Sequence, residues 1–403
     1  MFWHFSLILT LFSRFLNIYE SLTLFNSCKI PVPKFSPIIK SGQEMSDVFA
    51  NLLLEYPEVA RWEFNIVDEF HGRGKANFRT DSIAIMTEIR NCFEIKDRLV
   101  YLEPLKEMIG RFLPSNLNPA SNRLFRNFFE YKHSFLACGG IIKAMGNGQN
   151  HLLGAQYFIK PNGECKFLAS YEILTTKLGL TLGYISPQAQ LPEKVISSIG
   201  LKVCKQLLAE GVIGYVGVQI SVRTKGTNTL KMTITSAKPY YSEFLAGFEM
   251  FKVLDTFEPS GAASSSHRSA NSSQALDQFK DASDKPRKCI ILPRINNINT
   301  PSDMDYIEFF DECRKQGIYY DVLKKSGTVF MLSDDIEQGS LGMIIIDTSF
   351  RQLIKYATKA LSYIGALTNN SKSAQRGDSD QRANIVNTQS ILDLLYVYQK
   401  KVE

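Results

Sequence analysis

Arg61-Trp62-Glu63-Phe64-Asn65-Ile66-Val67-Asp68-Glu69-Phe70-His71-Gly72-Arg73-Gly74-Lys75 is the stretch that decides the fold. It predicts a short strand, an acidic turn, and a Gly-X-Gly loop that leads into a second strand. Because glycine has no side chain to block an approach, the backbone N–H groups of such a loop can close around a phosphate. A Gly-X-Gly sequence alone is more often a tight hairpin without a ligand, so the flanking sequence has to decide.

Three further segments accompany this hairpin in a fixed order. Lys29-Ile30-Pro31-Val32-Pro33 precedes it, Gly139-Gly140-Ile141-Ile142-Lys143-Ala144 follows, and Gly211-Val212-Ile213-Gly214-Tyr215-Val216-Gly217-Val218 comes last. In order and spacing they resemble the ATP-grasp fold, and most closely the ATP-grasp region of the IQ-motif-containing protein H family. The resemblance runs from Cys28 to Tyr363, with a gap at a serine-rich linker. It implies an α+β (α/β) fold of two lobes with mixed and antiparallel sheets, plus a small C-terminal α/β unit.

The resemblance also implies a chemistry. ATP-grasp enzymes hold ATP between their lobes and join a carboxylate to an amine through an acyl phosphate. Their pattern has a lysine on the strand before the glycine loop and an acidic residue at the hinge. An acidic residue and an asparagine, two positions apart on a late strand, hold magnesium.

Each of these family positions is changed here. The strand lysine falls on Asn65, the hinge acid falls on Lys143, and a strand that ends in aspartate in the family ends in Gln219. Since phosphoryl transfer needs positioned cations around the transferred group, these changes predict a loss of catalysis.

The magnesium pair has two alternative registers. Anchoring on the downstream Tyr241-Ser242-Glu243 places the pair on Ser236 and Lys238, which the longer match favours, and a shift of three residues places it on Thr233 and Thr235. Magnesium prefers carboxylate and phosphate oxygens. Neither register supplies a carboxylate, so no metal site is predicted.

A residual anion or nucleotide site is the alternative to complete loss. Lysines and arginines near the former site could attract a polyanion, so ATP could bind without tightly held magnesium. Solvated surface charge is the more common role of such residues. The candidate residues are Gly72, Arg73, Gly74, Lys75, Lys143 and Lys238.

Three functions follow from these residues. The first is a non-catalytic ATP-grasp module that acts as a scaffold for protein partners. The second is an active ATP-dependent carboxylate-amine ligase with unusual metal ligands, for which Gly72-Arg73-Gly74 and the neighbouring Asp68 and Glu69 are the support. The third is an RNA-binding protein. Its candidate stacking side chains, Tyr240, Tyr241 and Phe244, lie near Lys238 in the sequence but at a spacing that is also typical of a core.

Composition sets broader limits. The chain has 403 residues, is 44% hydrophobic, and carries a net charge of +6, which falls short of the strongly basic stripe of a dedicated nucleic-acid binder. The seven cysteines include no Cys-X-X-Cys, so we expect buried free thiols in a reducing, cytoplasmic compartment.

The expected organisation has five parts. Residues 1–27 are an apolar segment, too short for a membrane span and without the basic start of a signal peptide, so a truncated beginning and no membrane association are expected. Residues 28–258 form the ATP-grasp-like domain, 259–286 a flexible linker, 287–368 the C-terminal unit, and 369–403 a polar tail with an amphipathic helix. No IQ motif is found in this sequence, so calmodulin is not a predicted partner.

Individual elements are also predicted from periodicity and turn residues. Helices are expected over 44–56, 105–113, 192–208, 303–316 and 350–364, and near Ile391 to Tyr398. A hairpin is expected over 151–170, with its turn at 161–163. Further strands are expected over 216–222, 230–234, 289–292, 328–332 and 343–346, with Ser236 and Lys238 on one face. Residues 369–384 are expected to be disordered.

Overall fold

A computed structural model describes residues 14–67, 73–92, 94–121, 124–146, 150–225, 229–256, 285–296, 306–331, 340–370 and 379–402. The chain divides into two compact units that interleave along the sequence. Unit 1 comprises Met1–Cys165, Lys177–Thr181 and Lys194–Tyr240, and unit 2 comprises Lys166–Thr176, Leu182–Glu193 and Tyr241–Glu403.

A four-stranded antiparallel sheet carries the glycine hairpin in unit 1. In chain order its strands are β1 (Arg61–Ile66), β2 (Lys75–Arg79), β3 (Asn118–Pro119) and β4 (Gly140–Met145). Their spatial order is β3-β2-β1-β4, so β1 lies between the second hairpin strand and β4.

Alternation along β1 separates two different faces. Trp62 and Phe64 point into an aromatic core, where the ring of Phe49 contacts them edge-on at centroid distances of 6.0 and 5.1 Å. Glu63 and Asn65 point to the opposite face and are also buried. The apolar face anchors the sheet, and the polar face is the candidate site.

In the part of unit 1 before Asn150, the described residues form several α-helices. They are α1 (Ile18–Ser27), α2 (Gly42–Glu55), α3 (Met86–Asn91), α4 (Ile95–Arg98), α5 (Leu102–Asn116) and α6 (Phe128–Cys138). Helix α2 begins with a capping box in which Ser41 and Glu44 satisfy each other's backbone N–H groups. Helix α5 continues through Pro114, so the predicted end at Leu113 was too early.

Three long strands complete unit 1. They are β5 (Asn150–Ile159), β8 (Gly214–Lys225) and β9 (Thr229–Lys238), with β8 between the other two. One face packs on helix α7 (Glu193–Ala209), where the Tyr157 hydroxyl donates to the Ile196 carbonyl at 3.1 Å. Helix α1 packs on β9, and Ser21 donates to the Ala237 carbonyl.

Unit 2 is built on a second antiparallel sheet. Its strands are β6 (Cys165–Thr175), β7 (Thr181–Ser186), β10 (Lys288–Asn296), β11 (Tyr320–Asp321), β12 (Ser326–Met331) and β13 (Ser340–Asp347). The order is β11-β12-β13-β10-β7-β6. Strand β10 therefore joins the C-terminal strands to β7, with Ile290 opposite both Ile345 and Ile185.

The described residues of unit 2 also form four helices. They are α8 (Glu243–Thr256), α9 (Tyr306–Lys315), α10 (Phe350–Asn370) and α11 (Ser379–Val402). Ile391 and Leu395 of α11 are buried, and the Tyr398 ring contacts that of Phe350 at 5.0 Å, so this helix packs against the rest of unit 2. None of the helices that the structure describes is both long and apolar enough to cross a membrane.

Most of the predicted elements are present. The turn between β5 and β6 has Gly163 at a φ of 87°, and Gly211 follows α7 at a φ of 86°, both values that favour glycine. Helices α1, α3, α4, α6 and α8 were not predicted. Helix α11 starts at Ser379, inside the run expected to be disordered, and most of the expected linker lies outside the described residues. All seven cysteines are free thiols, but only three of them are buried as expected: Cys204, Cys289 and Cys313. Three others are half-buried, and Cys138 is exposed.

Candidate functional site on the glycine hairpin

The base of the glycine hairpin is fixed by backbone and tyrosine hydrogen bonds. The N–H of Ile66 donates to the carbonyl of Gly74 at 2.9 Å. The buried Tyr131 hydroxyl donates to the carbonyl of Phe64 at 2.9 Å and lies 3.3 Å from that of Gly74. Helix α6 thus holds the two strands together where the loop begins. Gly72 lies outside the described residues.

A buried ion pair occupies the polar face of the hairpin sheet. Lys143 of β4 lies directly opposite Glu63 of β1, and its Nζ is 2.9 Å from Glu63 Oε1. The two side chains are only 5% and 3% exposed. Lys143, a predicted candidate for anion binding, therefore already has a carboxylate partner within the chain.

Electrostatics keep this carboxylate charged. Burial alone would raise the pKa of Glu63, but the charges of Lys143 and Lys75, with hydrogen bonds from Lys143 and Asn65, outweigh burial and lower the pKa to about 2. Lys75 lies opposite Asn65 on β2 and is half-buried. Two cations thus converge on one carboxylate of the same chain.

Asn65 stands where the family pattern has its phosphate-binding lysine. Its side chain is fully buried and its Nδ2 donates to the carbonyl of Glu63 at 3.3 Å. Its Oδ1 has no hydrogen-bond partner among the residues that the structure describes. An amide at this position contributes no charge that could neutralise a phosphate.

A turn between β6 and β7 covers the polar face. Asn77 of β2 donates from Nδ2 to the carbonyl of Leu178 at 2.5 Å. The next residue, Gly179, has a φ of 83°, and a Cβ placed on it would lie 3.4 Å from Glu63 Oε2. Both the left-handed backbone and this close approach favour glycine at the position. The turn therefore lies directly against the ion pair.

Lys238 lies on a different sheet. It sits opposite Gly217 on β9, and Ser236 lies opposite Gln219, so Ser236 and Lys238 share a face as predicted. A β-bulge separates this pair from the earlier part of β9, and Thr235 donates from its hydroxyl to the carbonyl of Gln219 at 3.3 Å. Thr235 is the extra residue of this bulge and has no residue directly opposite it on β8. This favours the register on Ser236 and Lys238 over the register on Thr233 and Thr235.

The chemistry of these positions does not fit a magnesium–nucleotide complex. The side chains at the family's metal positions are an amide, a hydroxyl and an ammonium, from Gln219, Ser236 and Lys238. Magnesium needs oxygen ligands that carry negative charge. No group of three or more histidine, cysteine, aspartate or glutamate side chains that could hold a metal is found in the described part of the chain.

One of the candidate stacking residues is excluded by its packing. Phe244 is fully buried and stacks on Tyr171 with a centroid distance of 3.7 Å and an interplanar angle of 22°. It belongs to the core of unit 2 and cannot stack on a base. Tyr240 and Tyr241 are 37% and 52% exposed.

A family model described as IQCH-like, ATP-grasp matches residues 19–257, more than half of the chain. The chain belongs to the IQCH-like ATP-grasp family. This match confirms the predicted family and fold. The family match begins at residue 19 and so includes nearly all of helix α1. This helix lies in the N-terminal segment 1–27, which the sequence predicted to be outside the ATP-grasp-like domain.

The chain is also similar to a longer family relative. IQ motif-containing protein H from Danio rerio is 24% identical over an alignment of 356 residues, and the match covers 85% of this chain and 32% of the relative. The chain thus spans about a third of the length of the relative that it matches.

Several solved structures are similar at low identity. One is an ADP complex of purK, N5-carboxyaminoimidazole ribonucleotide synthetase, at 12% identity and a TM-score of 0.47, covering 89% of this chain and 73% of that one. Another is the biotin carboxylase domain of the 2-oxoglutarate carboxylase of Hydrogenobacter thermophilus, at 11% identity and a TM-score of 0.49, covering 95% and 75%.

Sequence reasoning missed part of this site. It named Lys75 and Lys143 but not Glu63, Asn77 or the turn at Gly179, which complete the polar layer. The alternation of Trp62 and Phe64 with Glu63 and Asn65 was the available signal, because it places two polar residues on one face of the hairpin strand.

Proposed function

We propose that this chain is a non-catalytic member of the ATP-grasp fold that works as an interaction scaffold for other proteins. The observation that supports this function is the buried Lys143–Glu63 pair. It neutralises, with a residue of the chain itself, the lysine that stands at the family's hinge position. The proposed partners are cytoplasmic proteins, and calmodulin is not among them.

The energetic argument starts from the cost of releasing Lys143. Breaking a buried ion pair by removing one partner costs about 3–5 kcal/mol. A triphosphate bound at this face would incur a cost of this kind and would also meet the negative charge of Glu63. Without carboxylates at the metal positions, no magnesium ion would screen that repulsion. Residual nucleotide or anion binding would therefore depend on Arg73, Lys75 and Lys238.

A nucleotide titration tests the proposal. Isothermal titration calorimetry of the full chain with ATP, with and without magnesium, should show no metal-dependent binding in the micromolar range. An active ATP-grasp ligase measured in parallel serves as the positive control. Micromolar ATP binding that requires magnesium, accompanied by ADP formation with a carboxylate and an amine, would contradict the proposal and favour the ligase.

A Glu63→Gln variant tests whether the charge of Glu63 is what keeps Lys143 and Lys75 from binding a triphosphate. The alternative is that the fold has no affinity for triphosphates even without that charge. Removing the carboxylate charge leaves Lys143 and Lys75 without their shared counter-ion, so we expect this variant to bind triphosphate more tightly than the native chain. Thermal unfolding monitored by circular dichroism shows whether the variant is folded. A folded variant whose triphosphate affinity stays unchanged would contradict the role assigned to the ion pair.

A further inference from the structure

Strands β8 and β9 form a hairpin ribbon without any carboxylate side chain. Between Gly214 and Lys238 the sequence contains no aspartate and no glutamate, but it contains four cations, Arg223, Lys225, Lys231 and Lys238. The whole chain carries 40 acidic residues, so their absence from this segment concentrates positive charge locally. Such a charge distribution attracts polyanions.

The cations that can be placed share one face of the ribbon. Residues directly opposite each other in an antiparallel pair lie on the same face. The pairs are Gly217 with Lys238, Gln219 with Ser236, Ser221 with Thr233, and Arg223 with Lys231. The opposite face carries buried apolar residues such as Val218 and Ile220. We call the first face the polar ribbon face.

Arg223 and Lys231 form a like-charge pair at the outer end of this face. They lie directly opposite each other, Arg223 is half-buried, and Lys231 is exposed. In the described part of the chain neither makes a salt bridge, whereas many other lysines and arginines do. Like charges opposite each other destabilise a sheet. A bound anion between them would remove this repulsion.

Aromatic rings lie at the other end of the same face. Tyr215 of β8 is opposite Phe158 of β5, and their ring centroids are 4.8 Å apart. The ring of Tyr240 lies 3.3 Å from the position that a Cβ on Gly217 would occupy. Gly217 therefore leaves room for a ring beside Lys238. From Gly217 to Arg223 the face extends for about 20 Å, at about 3.4 Å per residue.

We propose that the polar ribbon face binds single-stranded nucleic acid, with Arg223, Lys231 and Lys238 contacting phosphates and Tyr240 stacking on a base. Cations spaced along a strand direction and aromatic rings at one end are the groups that such a ligand needs. Between them only Gln219 and Ser221 are part-exposed, since Thr233 and Ser236 are buried. An acidic peptide would use the cations but not the rings. This inference goes beyond the scaffold function and does not depend on it.

Fluorescence anisotropy with a labelled RNA strand of about 12 nucleotides tests the site. Each phosphate contact contributes about −0.7 to the slope of log affinity against log salt for single strands. Three contacts predict a slope of about −2 for the native chain, and the double variant Arg223→Gln/Lys231→Gln should retain about −0.7. At low salt this variant should bind about tenfold more weakly or worse.

A second variant, Lys231→Glu, distinguishes a loss of RNA binding from a loss of the folded structure. It would place a carboxylate opposite Arg223, so the ribbon should be as stable as in the native chain or more stable, while RNA binding falls. Arg314→Gln/Lys324→Gln is the matched control. It removes two exposed cations of the C-terminal unit, and therefore as much positive charge as the double variant of the ribbon face. It should bind RNA with the native slope. Tyr240→Ala should weaken binding of the single strand but not its salt slope.

Three results would overturn the inference. They are native RNA affinity in the double variant, equal loss in the matched control, or displacement of RNA by polyglutamate of equal charge as effectively as by unlabelled RNA. The last result would assign the face to acidic peptides. Lys238 is shared with the candidate site, but Arg223 and Lys231, whose removal tests the ribbon face, lie outside it. The ATP titration of the native chain therefore tests the scaffold function separately from the RNA titration of the double variant.

Discussion

At the scale of single residues, Glu63 and Lys143 have the largest energetic role in the candidate site. Both side chains are almost fully buried, and each provides the charge that the other needs. A charge left alone in such a place costs far more than an exposed one. The pair therefore contributes to the stability of the hairpin sheet as well as to its charge balance.

Removing one partner should expose this cost. We expect Lys143→Met to lower the free energy of unfolding by about 3–5 kcal/mol, because Glu63 would remain buried without a counter-ion. The matched control is Lys315→Met, which breaks the exposed pair with Glu312 and should cost less than about 1 kcal/mol. Urea denaturation at neutral pH measures both. A loss in Lys143→Met no larger than in the control would contradict the structure.

The same pair predicts a pH dependence. Because the pKa of Glu63 is lowered to about 2 in the folded chain, its stabilisation is fully present above the ordinary pKa of a glutamate and is lost as pH falls towards 2. Urea midpoints of the native chain should fall over this acidic range. The Glu63→Gln variant should show a smaller fall, and an equal fall in both proteins would count against the assignment.

Residue identities in the candidate site were only partly predictable. Asn65 and Lys143 stand out in the sequence, since each differs in charge from the family pattern. Their partners could not be found by spacing, because the contact of Glu63 with Lys143 depends on β1 pairing with β4, and that of Asn77 with Leu178 depends on a turn far along the chain.

At the scale of elements, helix α7 is held to the three-stranded sheet by a close contact. A Cβ on Gly200 would overlap the Tyr157 hydroxyl, which is buried and donates to the Ile196 carbonyl. Glycine normally weakens a helix interior. Here its lack of a side chain lets the helix approach the strand.

Two glycine substitutions should therefore have opposite effects. Gly200→Ala should destabilise the chain by about 1–3 kcal/mol through overpacking. Gly110→Ala, in helix α5 with no atom within 4 Å of the new Cβ, should stabilise it by about 0.5–1 kcal/mol. Thermal unfolding of the two variants provides the comparison. A stabilising Gly200→Ala would mean that the helix does not lie this close to Tyr157.

The periodicity of apolar residues was enough to predict some elements but not others. The alternation of Val216, Val218 and Ile220 predicted β8 because one of its faces is buried, and the same logic placed Ser236 and Lys238 together. Helix α6 was not predicted, although Phe128, Tyr131 and Phe135 are buried at helical spacing. The exposed Phe129 interrupts that stripe and makes the apolar pattern ambiguous.

At the scale of the whole molecule, the end of the chain closes onto its middle in unit 2. The Tyr398 hydroxyl of α11 donates to Glu172 of β6, 226 residues earlier, at 2.5 Å. Glu172 is buried and also accepts from the N–H of Ala189 and from Gln190. Burial and the neighbouring carboxylate raise the pKa of Tyr398, so the phenol stays protonated and able to donate.

Removing this hydroxyl should weaken unit 2. We expect Tyr398→Phe to cost about 1–3 kcal/mol, because a buried carboxylate loses one of its donors. Tyr396→Phe is the matched control two positions away, with a side chain 47% exposed and an expected change within about 0.5 kcal/mol. Chemical denaturation followed by circular dichroism compares them, and equal midpoints for the two variants would argue against the contact.

Long-range organisation was the least predictable level. The sequence separated residues 287–368 from the preceding domain by a linker, and local composition supports that division. In the structure β10 inserts between β13 and β7, a pairing that only tertiary structure reveals. Local patterns specify strands and helices, but they do not specify which distant strand each one will meet.

The position of β10 has a consequence for how the chain is made. A ribosome releases β7 long before it reaches β10, so the backbone groups of Tyr184–Ser186 must wait for their hydrogen-bonding neighbour. During that interval the nascent sheet has an open apolar edge, which is the kind of surface that recruits other unfinished chains. Unit 2 therefore cannot mature until β10 has been synthesised, and chaperones would be needed most while the segment between these two strands is being made.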